Sequence, residues 1–192
     1  MHISRKLCDE FSDVEIVRQA LQHIDYFTCL YDRYEAQLLR YIKRLTAAAP
    51  EEAEDILQDA FIKIWRHLNS YDQRLKLSSW LYRIVHNEVV SSRRKNQSFG
   101  KNRRVELDDS LFRLNPEEDF PELEEIDQLT HEVLDGLPLK YRTVLILKYL
   151  EGMSYAEISD VLKKPEGTVA TLINRAKKAF AAEAMKKHIS FA

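Results

Sequence analysis

Residues 154–178 read SYAEISDVLKKPEGTVATLINRAKK, and the fold turns on this run. Ser154 followed three residues later by Glu157 has the pattern of a capping box, in which hydroxyl and carboxylate satisfy each other's backbone amides at a helix start. Tyr155, Ile158, Val161 and Leu162 recur at helical spacing and predict the inner face of a short helix. Lys163-Lys164-Pro165-Glu166-Gly167 reads as a turn, and Thr168 as the start of a second helix with Val169, Ile173, Ala176 and Phe180 inward. Short helix, tight turn and second amphipathic helix make the helix-turn-helix plan. The second helix turns Ala170, Thr171, Asn174, Arg175 and Lys178 outward. In that plan the early outward residues meet base edges, while Arg175, Lys177 and Lys178 suit phosphates. A plain helical bundle is the competing reading.

Upstream, Leu137-Pro138 opens a helix carrying Tyr141, Val144, Leu145 and Leu147, and Glu151-Gly152-Met153 breaks it. Before that lies RVELDDSLFRLNPEEDFPELEEIDQ, residues 104–128, acidic and without clear periodicity, which reads as a linker. It divides the charge unevenly. Residues 1–104 carry net +4, residues 105–127 net −9 and residues 128–192 net +3, so the overall −2 of the 192-residue chain hides two basic blocks. Near-neutrality therefore does not argue against nucleic acid.

In the first block Val14, Val17, Leu21 and Ile24 predict one helix, and Tyr31, Tyr34, Leu38, Tyr41 and Leu45 a second that Asp25 could cap. Pro50 suits a first helical position, and Glu51, Glu52, Glu54 and Asp55 favour the positive end of the helix dipole. Ala53, Ile56, Leu57, Ala60, Phe61, Ile64, Trp65 and Leu68 form its apolar stripe. Asp55, Gln58, Asp59 and Ile62 face away, and an isoleucine among carboxylates is either a scattered surface residue or part of a protein-docking face. After Asn69-Ser70-Tyr71-Asp72, Ser78 or Ser79 is placed to cap a third helix with Trp80, Leu81 and Ile84 inward. Arg83, Asn87, Ser91 and Arg94 share another face, with Tyr71, Trp80 and Tyr82 near in sequence and Arg93-Arg94-Lys95 closing the helix. Such a face either pairs with phosphates and stacks on unpaired bases or is simply a solvated basic surface.

With 45% hydrophobic and 31% charged residues but only 4 Gly and 5 Pro, the expected fold class is all-α: two small helical domains joined by an acidic linker, the C-terminal one a helix-turn-helix. The expected bounds are 1–98, 99–128 and 129–192. Composition excludes collagenous, disulfide-stapled and wholly disordered chains. Cys8 and Cys29 make no framework and no CxxC pair, and give no persuasive redox switch. No apolar run reaches a membrane span, and Arg5, Lys6, Asp9 and Glu10 leave no room for a secretory signal, so no membrane insertion and a cytoplasmic location are expected. Asn96-Gln97-Ser98 is then a chance glycosylation sequon. His131-Glu132-Val133-Leu134-Asp135 falls short of HExxH, the six histidines are scattered and no phosphate-binding glycine loop exists. No catalytic residue, metal site or cofactor is expected.

AEDILQDAFIKIW at 53–65, LSSWLYRIVHN at 77–87, a variable acidic linker and LPLKYRTVLILKYLEGMSYAEISDVLKKPEGTVATLINRAKKAF at 137–180 together resemble the extracytoplasmic-function sigma factors, bacterial transcription-initiation subunits with two promoter-binding domains. The resemblance runs from about Val14 to Phe180. It implies docking of Asp55, Gln58, Asp59 and Ile62 on the β′ clamp helices of core RNA polymerase. It implies capture of the melted −10 element by Tyr71, Trp80, Arg83, Asn87, Ser91 and Arg94, with Asn87 helping to read an unstacked base and the loop 71–77 pocketing it. It implies −35 reading by Thr168, Ala170, Thr171, Asn174, Arg175 and Lys178, contact of the preceding helices with the β flap, and an anti-sigma factor as inhibitory partner. Relatives usually carry basic residues at the positions of Ala170 and Leu172, so the −35 preference of this chain is expected to differ or weaken; many also have Asp at the position of Ser91. The family's acidic connector threads near the active-site cleft. Here Glu117, Glu118, Asp119, Glu122, Glu124 and Glu125 could mimic nucleic acid, cover the basic blocks or act as a spacer. The rival function is a helix-turn-helix regulator that binds duplex DNA without polymerase.

Overall fold

The computed structural model describes residues 5–46, 48–99 and 129–189, and every regular element among them is helical. The acidic linker, with its six singled-out carboxylates, lies outside the described residues.

The chain begins with α1 (Arg5–Glu10) and α2 (Asp13–Gln22). A capping box that the sequence reading missed starts α2: Ser12 Oγ accepts from the Glu15 amide at 3.4 Å, and Glu15 Oε2 accepts from the Ser12 amide at 2.8 Å. The buried face of α2 is Ile16, Val17 and Ala20, not the expected Val14–Val17–Leu21–Ile24 stripe. Leu21 and Ile24 are exposed, because the helix stops at Gln22 and a 3-10 turn over Ile24–Tyr26 redirects the chain. Helix α3 (Phe27–Thr46) then starts two residues beyond Asp25, with Thr28 Oγ1 donating to the Asp25 carbonyl at 2.6 Å. Its buried residues Tyr34, Leu38, Tyr41 and Leu45 follow the expected periodicity.

Cys8 and Cys29 form a disulfide that ties α1 to α3, so two cysteines that make no framework still staple one helix to another, which corrects the exclusion of a disulfide staple. Pairing needs α1 to fold back across α3, which no local pattern reveals. The Arg33 guanidinium holds that return, donating to the Cys8 and Phe11 carbonyls at 2.7 and 2.8 Å and to Asp13 Oδ1 at 2.9 Å.

Helix α4 (Pro50–His67) has its proline at the first position, where a missing N–H costs nothing. Ala53, Ile56, Leu57, Ala60, Phe61 and Ile64 are buried against α3 and α5 (Leu77–Phe99), whereas Trp65 sits at the rim. Ser78 and Ser79 lie inside the first turn of α5 rather than capping it, since the Trp80 amide already donates to the Lys76 carbonyl. The helix also runs on past Arg93-Arg94-Lys95 to Phe99.

The second block comprises α6 (129–135), α7 (Leu139–Leu145), α8 (Tyr155–Leu162) and α9 (Glu166–Lys186). A π-helical turn over Ile146–Leu150 extends α7, closed by the Glu151 amide donating to the Ile146 carbonyl. Gly152 follows with φ +68°, a left-handed conformation that suits glycine. Ser154 and Glu157 form the expected capping box. Lys163 ends α8 in the left-handed region, and Pro165 flanks α9, which begins at Glu166, two residues before Thr168. Val169, Ile173 and Ala176 are buried, and α9 packs on α7 and α8. One continuous apolar core includes residues of both blocks, and α8 rests on α5.

Opening the disulfide with reductant, or replacing Cys29 by alanine, is expected to lower unfolding free energy by about 3 kcal/mol, the loop-closure entropy of a 21-residue separation. Urea denaturation with and without reductant measures it.

Candidate nucleic-acid interface

Three surfaces carry the candidate residues. The first is the outer face of α4. Because its opposite face is packed, the 3.6-residue period turns Asp55, Gln58, Asp59 and Ile62 to solvent, and Ile62 is 48% exposed. Beside them, Glu52, Asp55, Ile56, Asp59, Glu88, Ser92 and Lys95 line a cleft between α4 and α5. Glu88, buried in the middle of α5, reaches Lys63 of α4 in an ion pair. A buried carboxylate is tolerated only with such a partner, so this pair fixes α5 against α4. Sequence reading missed it. The available signal was a glutamate set between the apolar positions Val85 and Val89. At the far end of α4 the Trp65 ring meets Phe27 edge-on at 5.2 Å, extending an apolar rim beyond Ile62.

The second surface is α5 with the loop before it. Arg83, Asn87, Ser91 and Arg94 form one stripe, with Asn87 and Arg94 exposed and Arg83 and Ser91 half-buried. Trp80 is not part of that exposed stripe. It is 3% exposed, with its ring 5.5 Å from Tyr71, so it is a wall behind the loop rather than a surface platform. Tyr71 is half-buried and donates its hydroxyl to the Leu75 carbonyl at 2.6 Å, closing the loop on itself. Arg74 forks onto Asp72 at 2.7–3.1 Å, and those hydrogen bonds hold the Asp72 carboxyl down at about 2. On the inner side of α5, His86 Nδ1 lies 3.1 Å from the buried Tyr41 hydroxyl of α3, and burial pushes the imidazole down to about 4.

The third surface is the start of α9. Thr168, Thr171, Asn174, Arg175 and Lys178 are exposed, while Ala170 is half-buried. Thr171 Oγ1 donates to the Gly167 carbonyl at 2.9 Å. Leu172 is half-buried against the core, so that position contributes packing rather than charge. The structure does not merge α5 and α9 into one site: they stand on separate blocks with α8 between them. No metal-ligating cluster exists among the described residues.

An all-helical chain with a helix-turn-helix in one block and a basic, amide-bearing helix in the other is built to read DNA at two places. Residues 30–99 match the Sigma-70 region 2 family and residues 127–180 the Sigma-70, region 4 family. The chain is 34% identical over 164 residues to the ECF RNA polymerase sigma factor SigW of Bacillus subtilis, covering 81% of this chain and 87% of that one. It is 32% identical to the RNA polymerase sigma-H factor of Pseudomonas aeruginosa, covering 80% and 83%. Its fold matches that of the sigma factor RpoE from Bartonella quintana, solved in complex with the anti-sigma factor NepR, with a TM-score of 0.69 at 22% identity over 83% and 96% of the two chains. The protein belongs to the extracytoplasmic-function sigma factors, and it directs RNA polymerase to promoters.

His86 titrates at about 4 in the folded chain against 6.5 ordinarily, so the unfolded state binds the extra proton between those values. Stability is therefore fully present above about pH 6.5 and declines as pH falls towards 4. Replacement of His86 by glutamine should flatten that segment of the stability–pH curve, measured by urea unfolding at stepped pH.

Proposed function

We propose that residues 1–98 form the polymerase- and −10-binding domain, residues 99–128 the connector and residues 129–192 the −35-binding domain. Asp55, Gln58, Asp59 and Ile62 dock on the β′ clamp helices. Arg83 and Arg94 hold phosphates of the melted −10 strand, Asn87 and Ser91 hydrogen-bond an unstacked base, and the Tyr71 loop, backed by Trp80, receives it. Thr168, Ala170, Thr171 and Asn174 approach base edges at −35, and Arg175 and Lys178 its phosphates. The carrying observation is that the exposed α4 face and the α5 stripe are locked together by Lys63–Glu88 while the outward face of α9 stands open.

Unstacking costs a few kcal/mol per base and is offset by about 1–3 kcal/mol of stacking and hydrogen bonding, so melting selects sequences whose bases fit. The chain's own part is binding, with no catalytic step. An anti-sigma factor covering the α4 face is inferred from the likeness to RpoE, itself solved with such a partner. Among the described residues no helix is long and apolar enough to cross a membrane, and we place the protein in the cytoplasm beside its polymerase.

In-vitro transcription with bacterial core polymerase on genomic DNA should yield promoter-specific initiation. Ile62→Asp should weaken core binding at least ~10-fold, the scale of losing an interface anchor. Arg175→Ala should weaken −35 duplex binding and reduce the salt slope by about one charge. Duplex binding without core, coupled with failure to initiate at any promoter, would instead identify the regulator.

A further inference from the structure

We propose that Cys8 and Cys29 form a thiol–disulfide switch whose closed state braces the −10 loop through Asp13 of α2.

The bond ties down a segment that lies ahead of the family match. The Sigma-70 region 2 match begins at residue 30, so α1 and α2 precede it and Cys29 borders it. Helix α1 has six residues, too few to hold a helix by themselves. Its place on α3 rests on the disulfide and on the hydrogen bonds from Arg33 to the Cys8 and Phe11 carbonyls. The same guanidinium holds Asp13 Oδ1 at 2.9 Å, so the positions of α1 and of Asp13 are set together.

From Asp13 the contacts run on to the loop. Asp13 Oδ2 accepts from the Tyr34 hydroxyl at 2.5 Å. Helix α2 packs against the 3-10 turn Leu68–Ser70, where the Leu68 carbonyl accepts from the Tyr71 amide at 3.2 Å. Burial, and after it the Asp13 carboxylate, push the Tyr71 phenol up. Tyr71 closes its own loop through the Leu75 carbonyl and stands against Trp80. This path from Cys8 to the base-receiving loop includes none of Asp55, Gln58, Asp59 and Ile62.

In the cytoplasm proposed above, a disulfide is transient and reports on oxidants. The exchange balances with a small disulfide such as oxidised glutathione. One cysteine thiolate attacks it and releases one glutathione thiol; the second cysteine then attacks the mixed disulfide and releases the other. Reduced glutathione runs the same two steps backwards. Cys8 and Cys29 are only 4% and 1% exposed, so either direction needs α1 to lift from α3. Once the bond is open, α1 can leave with the Cys8 carbonyl, and Arg33 and Asp13 are held less firmly.

The inference rests on reading the loop 71–77 as part of the −10 reader, so its first measurement uses no DNA. Trp65→Phe leaves Trp80, beside Tyr71, as the sole tryptophan of the full chain. Acrylamide quenching of Trp80 should rise about twofold on passing from oxidised to reduced glutathione, as local opening exposes the ring. Helical circular dichroism should be retained; its collapse on reduction, or a bond that survives a large excess of reduced glutathione, marks a fixed staple and overturns the switch. Asp13→Ala in the oxidised chain should reproduce the reduced quenching and remove the response to glutathione. Asp13→Asn, which keeps an acceptor for the Tyr34 hydroxyl, should restore it. An undiminished response in Asp13→Ala overturns the brace.

In the second measurement the oxidised chain and the Cys8→Ser/Cys29→Ser chain are each assembled with core polymerase on a promoter recovered by genomic transcription. Core affinity should be equal. Permanganate-reactive thymines at −10 should fall about tenfold in the serine chain, the scale of weakening one base contact. Loosening of the loop without loss of melting overturns the −10 reading of the loop, whereas unchanged quenching overturns the switch itself.

Discussion

Helix α3 is the element around which the first block is assembled. Leu38, Tyr41, Ile42 and Leu45 are wholly buried, and α3 packs against α2, α4, α5 and the start of the second block. Two tyrosines on this face supply both bulk and a polar tip that reaches a neighbouring helix. Tyr34 donates to Asp13 of α2 at 2.5 Å, and Tyr41 meets His86 of α5. Desolvation pushes both phenols well above their ordinary titration range, so both hydroxyls stay protonated at any working pH. The position of α5, and with it the basic stripe, follows from these few directed contacts together with Lys63–Glu88.

How far the sequence was legible follows from how local each cause is. The Ser154–Glu157 capping box involves four consecutive residues, and it is where the pattern placed it. The α4 stripe was equally clear, since eight apolar positions repeat at one period. Thr168 reads as a helix start, whereas the helix begins two residues earlier at Glu166, with Pro165 flanking it. The stripe through Leu21 and Ile24 failed for a related reason: the pattern continued past the point where the backbone turns.

What was hidden is what depends on a distant partner. Cys8 and Cys29 sit 21 residues apart with nothing between them to announce a bond. Glu88 and Arg142 read as ordinary charged residues on amphipathic helices and Glu151 as part of a helix break, yet each is buried or nearly so against an element far along the chain. Trp80 was legible as inward-facing and, through the family resemblance, as part of the −10 site. The structure shows the first directly, in the contact of its ring with Tyr71.

On α5 and α9 the packed face and the outward face are separate sets of residues. On α5 the packing side, Leu81, Tyr82, Val85 and Val89, is buried, while Asn87 and Arg94 project to solvent. On α9 Val169, Ile173 and Ala176 hold the block while Thr171, Asn174 and Arg175 do not touch its core. Substitutions on the outer faces meet little packing cost, usually within about 0.5 kcal/mol, so the side chains presented there can change with little loss of stability. Leu172 is the exception that tests the rule. Half-buried against the core, it contributes packing, and a lysine there would have to lay its stem along the same apolar surface to keep its charge in solvent.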